Sequence, residues 1–149
     1  MMQNKNTDLN MKLLIQEKYK AAMAKMDGKK DSEALINEAL TEISELLEHK
    51  IIFKKLSVAD QYGSRQTDVY VQNKENKYEE FVFSYEFETE KIFPVRMSYV
   101  NIITSFCSNV PEVATFMKEM ISEETFMIKI IRVSEAIENP FNSDDDIPF

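Results

Sequence analysis

Glycine is almost missing: Gly28 and Gly63 are the two in 149 residues. Loops that cradle phosphates need several positions without a Cβ, so two glycines exclude most nucleotide-loop chemistry. The single cysteine, Cys107, excludes an internal disulfide framework. No signal-like apolar segment and no membrane-length apolar run occurs, so the expected setting is reducing and cytoplasmic, without membrane association. The single histidine, His49, follows Glu45 by four residues and Glu42 by seven. Two facing ligands on a helix do not make a metal site, and a solvated acidic face is the plainer reading. Cys107 lies in an apolar stretch and is read as a buried structural thiol, not a nucleophile. The paired carboxylates Glu79-Glu80, Glu86-Glu88 and Glu123-Glu124 have the spacing of ordinary surface charge. The expectation is a protein that is not an enzyme, with no cofactor and no metal.

What is present is a chain 44% hydrophobic and 30% charged, enough to bury the core of one domain. The net charge of -8 is unevenly spread. Residues 1–30 carry seven lysines against Asp8, Glu17 and Asp27, a balance of +4. Residues 31–49 carry six acids and no Lys or Arg, whereas residues 50–74 return to +3. Residues 75–138 come to -6 and three aspartates complete the sum. This balance argues against a strongly basic nucleic-acid binder and leaves room for a local basic patch.

Along the chain, Leu9, Leu13, Ile15, Tyr19, Ala22, Met23 and Met26 recur near helical spacing and predict a first helix over 8–27, ended by Gly28. Asp31 or Ser32 then caps a second helix to about residue 50, with Leu35 or Ile36, Ala39, Leu40, Ile43, Leu46 and Leu47 in its stripe. The short connection predicts an antiparallel helical hairpin over 1–50, its lysine-rich helix beside its glutamate-rich one. After residue 50 the period changes, and strands are expected at 51–58, 67–72, 78–88 and 92–100, with a turn over residues 73–76. Pro94 suits a strand start or an edge. Residues 102–107 are ambiguous. Pro111 opens a helix to about 121 that buries Val113, Phe116, Met117 and Met120. Residues 126–133 read as a last strand. The fold class is therefore α+β: a helical hairpin (1–50), then an antiparallel meander with one helix and a final strand in the same domain (51–133), then a linker and tail (134–149).

In the third strand Phe81, Phe83, Tyr85 and Phe87 alternate with other residues, which predicts four aromatics on one face, more readily core than a base-stacking platform. The most basic and aromatic part of the β region is the set Lys54, Lys55, Tyr62, Arg65, Tyr70 and Lys74. These are the candidate single-stranded-DNA contacts, with Tyr62 and Arg65, beside Gly63 in a loop, as the leading pair.

The chain closes on Asp144, Asp145, Asp146, Ile147, Pro148 and Phe149. Each group in this stretch wants a different partner. The acids want a basic ridge, Phe149 an apolar pocket, and its α-carboxylate an Arg or Lys at the rim, while Pro148 limits the entropy lost on docking. These six residues resemble the acidic tip of bacterial single-stranded-DNA-binding proteins. The resemblance implies docking to bacterial replication, recombination and repair proteins that carry a tail-binding pocket. It covers the tip alone, and the linker here is shorter and poorer in glycine than that family's. The expected function is a phage- or mobile-element-like accessory of DNA replication, recombination or repair that binds single-stranded DNA and recruits host proteins through its tail. A tip of this size binds on the order of micromolar, so homo-oligomerisation is expected to raise its occupancy. Two alternatives remain: a mimic that blocks tail-binding pockets, and a small metal-dependent nuclease or toxin with an incidental tail.

Overall fold

The computed structural model describes residues 2–59, 61, 63 and 65–137, with side chains from residue 10 onward. In chain order it forms helix α1 (Met2–Leu46), strands β1 (Ile51–Ala59), β2 (Arg65–Asn73), β3 (Glu79–Glu88), β4 (Ile92–Tyr99) and β5 (Ile102–Cys107), then helices α2 (Val110–Ser122) and α3 (Glu124–Glu135). The five strands make one antiparallel meander in the order β1-β2-β3-β4-β5. The α+β class expected from the sequence is therefore present, and the ambiguous segment 102–107 is its fifth strand.

The expected helical hairpin over 1–50 is not formed. Residues 2–46 are one continuous helix of 45 residues, about 68 Å long, and Gly28 lies within it. Glycine costs a helix interior about 1 kcal/mol, too little to break a run of good helix formers on both sides. Its missing Cβ has a use: a Cβ there would meet Phe93 Cε2 at 2.9 Å. The break comes twenty residues later, where the His49 N–H donates to Ser44 O (2.9 Å) and the Glu48 N–H to Glu45 O (3.0 Å). This is a Schellman closure, made with Glu48 (φ 54°) and His49 (φ 60°) where glycine would be the usual choice.

The expected last strand over 126–133 is also corrected, because α3 occupies it. Its β-branched composition favours a strand, but Phe126, Ile130 and Val133 recur at i, i+4 and i+7, and all three are fully buried. Burial of that stripe outweighs the weak local β preference. α2 follows its expectation. The Glu112 N–H donates to Asn109 Oδ1 and the Ser108 N–H to Glu112 Oε1 (each 3.0 Å), and Val113, Phe116, Met117 and Met120 are buried.

All three helices cover one face of the sheet. Lys29 of α1 lies over the Phe87 ring (5.4 Å) and Lys55 of β1 donates to Asn37 of α1. Tyr99 of β4 meets Phe126 of α3, centroids 6.1 Å apart, and Cys107 of β5 donates to Glu112 O of α2. The core lies between these layers around Ile36, Phe83, Met97, Phe116 and Phe126. Pro94 sits near the start of β4, where the β3–β4 ladder skips between Phe87↔Val95 and Glu88↔Ile92, so its missing N–H breaks no ladder bond.

Candidate interaction surface

The other face of the sheet is free of helices, and its side chains follow from the strand register. Lys54 is opposite Tyr70, and Tyr70 opposite Phe81. A second row runs Glu86, Arg96, Phe106, and a third runs Leu56, Asp68, Ser84, Ser98. Phe81 is on this face because of a bulge: Val69 pairs with Phe83 and Tyr70 with Phe81, leaving Val82 without a partner. One extra residue reverses the alternation, so the four aromatics of β3 do not share a face as expected. Phe83 and Tyr85 are buried under the helices and Phe87 is half-buried there, while Phe81 is 41% exposed on the open side. The Tyr70 and Phe81 rings meet edge to face at 5.5 Å. Phe106, on the edge strand, is 63% exposed.

The six basic and aromatic candidates do not form one patch. Lys54 and Tyr70 are neighbours on the open face. Lys55 points the other way, 5.9 Å from the centroid of the Tyr85 ring, where burial lowers its pKa against the opposing pull of Glu33. Arg65 starts β2 and lines a cleft of about 410 Å³ with Lys29, Glu33, Tyr85 and Glu88. Lys74 follows the other end of β2, about 30 Å away by strand length, in a cleft of about 560 Å³ with His49, Lys50 and Ala136. Tyr62 lies outside the described residues, as does the whole docking tail, Asp144, Asp145, Asp146, Ile147, Pro148 and Phe149.

On the open face Lys54 and Arg96 stand among three acids, Asp68, Glu79 and Glu86. Lys54 Nζ is 3.4 Å from Glu79 Oε1, and Arg96 Nη2 is 3.7 Å from Glu86 Oε1 while donating to Gln66 Oε1 at 2.7 Å. An anion approaching this face must compete with these carboxylates. Phe106 and Arg96 were not singled out in the sequence. The outward place of Phe106 depends on residues 102–107 being a strand, which their composition leaves open.

Cys107 is buried, and burial together with the charges of Glu112 and Glu119 pushes its thiol up to about 11. Burial works against the charge on Glu80, but hydrogen bonds from Arg132 and Tyr78 outweigh it and hold the carboxyl below the usual glutamate range. Arg132 Nη2 is 2.6 Å from Glu80 Oε1 and pins α3 to β3. Among the described residues no three His, Cys, Asp or Glu side chains converge as a metal site, and no helix is long and apolar enough to cross a membrane. Comparison with protein-family models, with curated proteins and with solved structures finds no match.

Proposed function

We propose that this chain is a non-enzymatic accessory of bacterial DNA replication, recombination or repair, phage- or mobile-element-like, that recruits genome-maintenance proteins through residues 144–149. The observation that carries the reading is the order of chemistries in that tip: three acids, an aliphatic, a proline and a phenylalanine. The open sheet face supports a second activity, holding single-stranded DNA. Tyr70 and Phe81 offer ring surface beside Lys54, and each base stacked on such a ring is worth about 1–3 kcal/mol.

The first test is competition. The full chain should displace a labelled acidic-tip peptide from a purified bacterial repair enzyme known to bind such tips, with an affinity on the order of micromolar that falls with salt. Removing Phe149, or extending the chain beyond it, should abolish displacement, and unchanged displacement defeats the proposal. The second test is fluorescence anisotropy on a labelled oligothymidylate, where Phe81→Ala or Tyr70→Ala should weaken binding roughly 5- to 150-fold. If the intact protein does not bind the oligonucleotide, the recruiting role loses its DNA arm. The remaining reading is then a mimic that occupies tail-binding pockets and blocks them. One specific observation favours that second reading: Lys54 and Arg96 of the open face are both paired with glutamates.

A further inference from the structure

α1 is two unlike halves in one helix. From Ser32 onward it packs on the sheet, with Ser32, Ile36, Leu40 and Ile43 buried, whereas every residue from 10 to 27 is exposed. That is 18 residues, about 27 Å of helix projecting from the body. A free helix of this length is marginal in water, and its usual support is an apolar face packed on something.

The projecting half carries such a face. Met11, Ile15, Tyr19 and Met26 are 55%, 60%, 66% and 52% exposed. At 3.6 residues per turn these four and Ala22 fall within an arc of about 80°. Their spacing is symmetric: Met11 and Met26 stand equally far from the midpoint between Lys18 and Tyr19, and so do Ile15 and Ala22. A two-fold axis through that midpoint lays the stripe on its own copy, which is what an isologous contact requires.

We propose that the projecting half of α1 pairs antiparallel with the same segment of a second copy of this chain, Met11 on the partner's Met26 and Ile15 on the partner's Ala22, with the two Tyr19 rings beside the axis. Large meets small at the Ile15–Ala22 positions, as close helix packing prefers. Such a contact covers on the order of 1,000 Å², at the small end for specific association, so a micromolar dimer is expected.

Charge distinguishes this arrangement from its main rival. Lys12, Lys18, Lys20 and Lys25 outnumber Glu17 and Asp27 in the paired segment, so two copies repel and added salt should tighten the dimer. The rival sets the basic half of α1 on the acidic half of a second copy, where Asp31, Glu38, Glu42 and Glu45 are exposed. That pairing would loosen with salt. It would also leave the apolar stripe in water for the sake of exposed ion pairs, which contribute little. The proposal is independent of the tail reading, although a dimer would hold two copies of residues 144–149 in one particle.

Sedimentation equilibrium of the full chain at low and high salt tests this. The expected result is a concentration-dependent dimer that tightens with salt and whose Kd rises about 100-fold in Ile15→Glu, with the urea midpoint of the body unchanged. In a Cys107→Ser background, Tyr19→Cys should form a disulfide-linked dimer. Met11→Cys alone should not, because its two copies would lie about 22 Å apart along the pair. A chain that stays monomeric in both salts, a dimer that loosens with salt and ignores Ile15→Glu, or cross-linking through Met11→Cys alone overturns the proposal.

Discussion

Asn73 ends β2 and is 5% exposed, and its side chain joins two elements sixty residues apart. Its Nδ2 donates to Val133 O (2.9 Å) and Ala136 O (3.1 Å) at the end of α3, and its Oδ1 accepts from the N–H groups of Glu75 (2.9 Å) and Asn76 (3.1 Å) in the turn. The residue therefore sets both the β2–β3 turn and the position of residues 133–136 at the end of α3. With a longer bond from Nδ2 to Ser134 O (3.4 Å), replacing it with Ala removes five bonds. The two turn N–H groups can be rehydrated at modest cost, but Val133 O keeps only the longer bond from the Ala136 N–H (3.3 Å), so the summed loss should be about 3 kcal/mol. For a chain of this size that is roughly 6–12 °C in Tm. Asn76→Ala is the control. It removes the bonds Asn76 Nδ2 makes to Ala136 O (2.7 Å) and Oδ1 makes with the Tyr78 N–H (3.0 Å), both less buried, and should cost about 1 kcal/mol. Urea unfolding followed by far-UV circular dichroism gives both numbers, and amide exchange over residues 130–137 shows whether the end of α3 has loosened. If Asn73→Ala stays within about 0.5 kcal/mol of wild type, or matches Asn76→Ala, the anchoring argument is wrong.

The Cys107 thiol, at about 11 against an ordinary 9.0, should alkylate about 100-fold more slowly than a free thiol near pH 8, and should react at the ordinary rate in urea. Iodoacetamide kinetics measure this, and a native rate within tenfold of the unfolded one refutes it. Glu80 titrates below its ordinary 4.5, so its contribution to stability is complete above that value and is lost as pH falls through the lower, folded one. Arg132→Ala should therefore cost about 0.5–1 kcal/mol at neutral pH, a figure kept small because the Arg132 side chain is 57% exposed. The deficit should close on acidification, and acid titrations of both proteins in fixed urea would detect a deficit that persists instead.

Four of the five strands of the meander were legible in the sequence, the segment 102–107 being too short and apolar to assign. Strands expected at 51–58, 67–72, 78–88 and 92–100 appear as β1 to β4 within a few residues of those bounds, because a half-covered sheet imposes period 2 on its own sequence. α2 was legible for a similar reason, since its cap and apolar stripe are local signals. Three features were not. Gly28 looks like a helix end, yet the helix formers on both sides carry α1 through it, and its missing Cβ leaves room for the ring of Phe93, sixty-five residues away. The chemistry of residues 126–133 suits a strand, and burial of Phe126, Ile130 and Val133 makes it a helix. Phe81 belongs to an alternating aromatic row until the bulge at Val82 turns it to the open face beside Tyr70.

The same division holds for function. The docking role proposed for residues 144–149 rests on composition and order alone, since a short peptide recognised in extended form needs no fold behind it. The basic and aromatic residues of 50–74 are adjacent in sequence, but pleating sends Lys54 and Lys55 to opposite faces, and the length of β2 holds Arg65 and Lys74 about 30 Å apart. Which side chains can act together on a sheet is a matter of register, bulges and the face the helices leave open, and those depend on contacts between residues far apart in the chain.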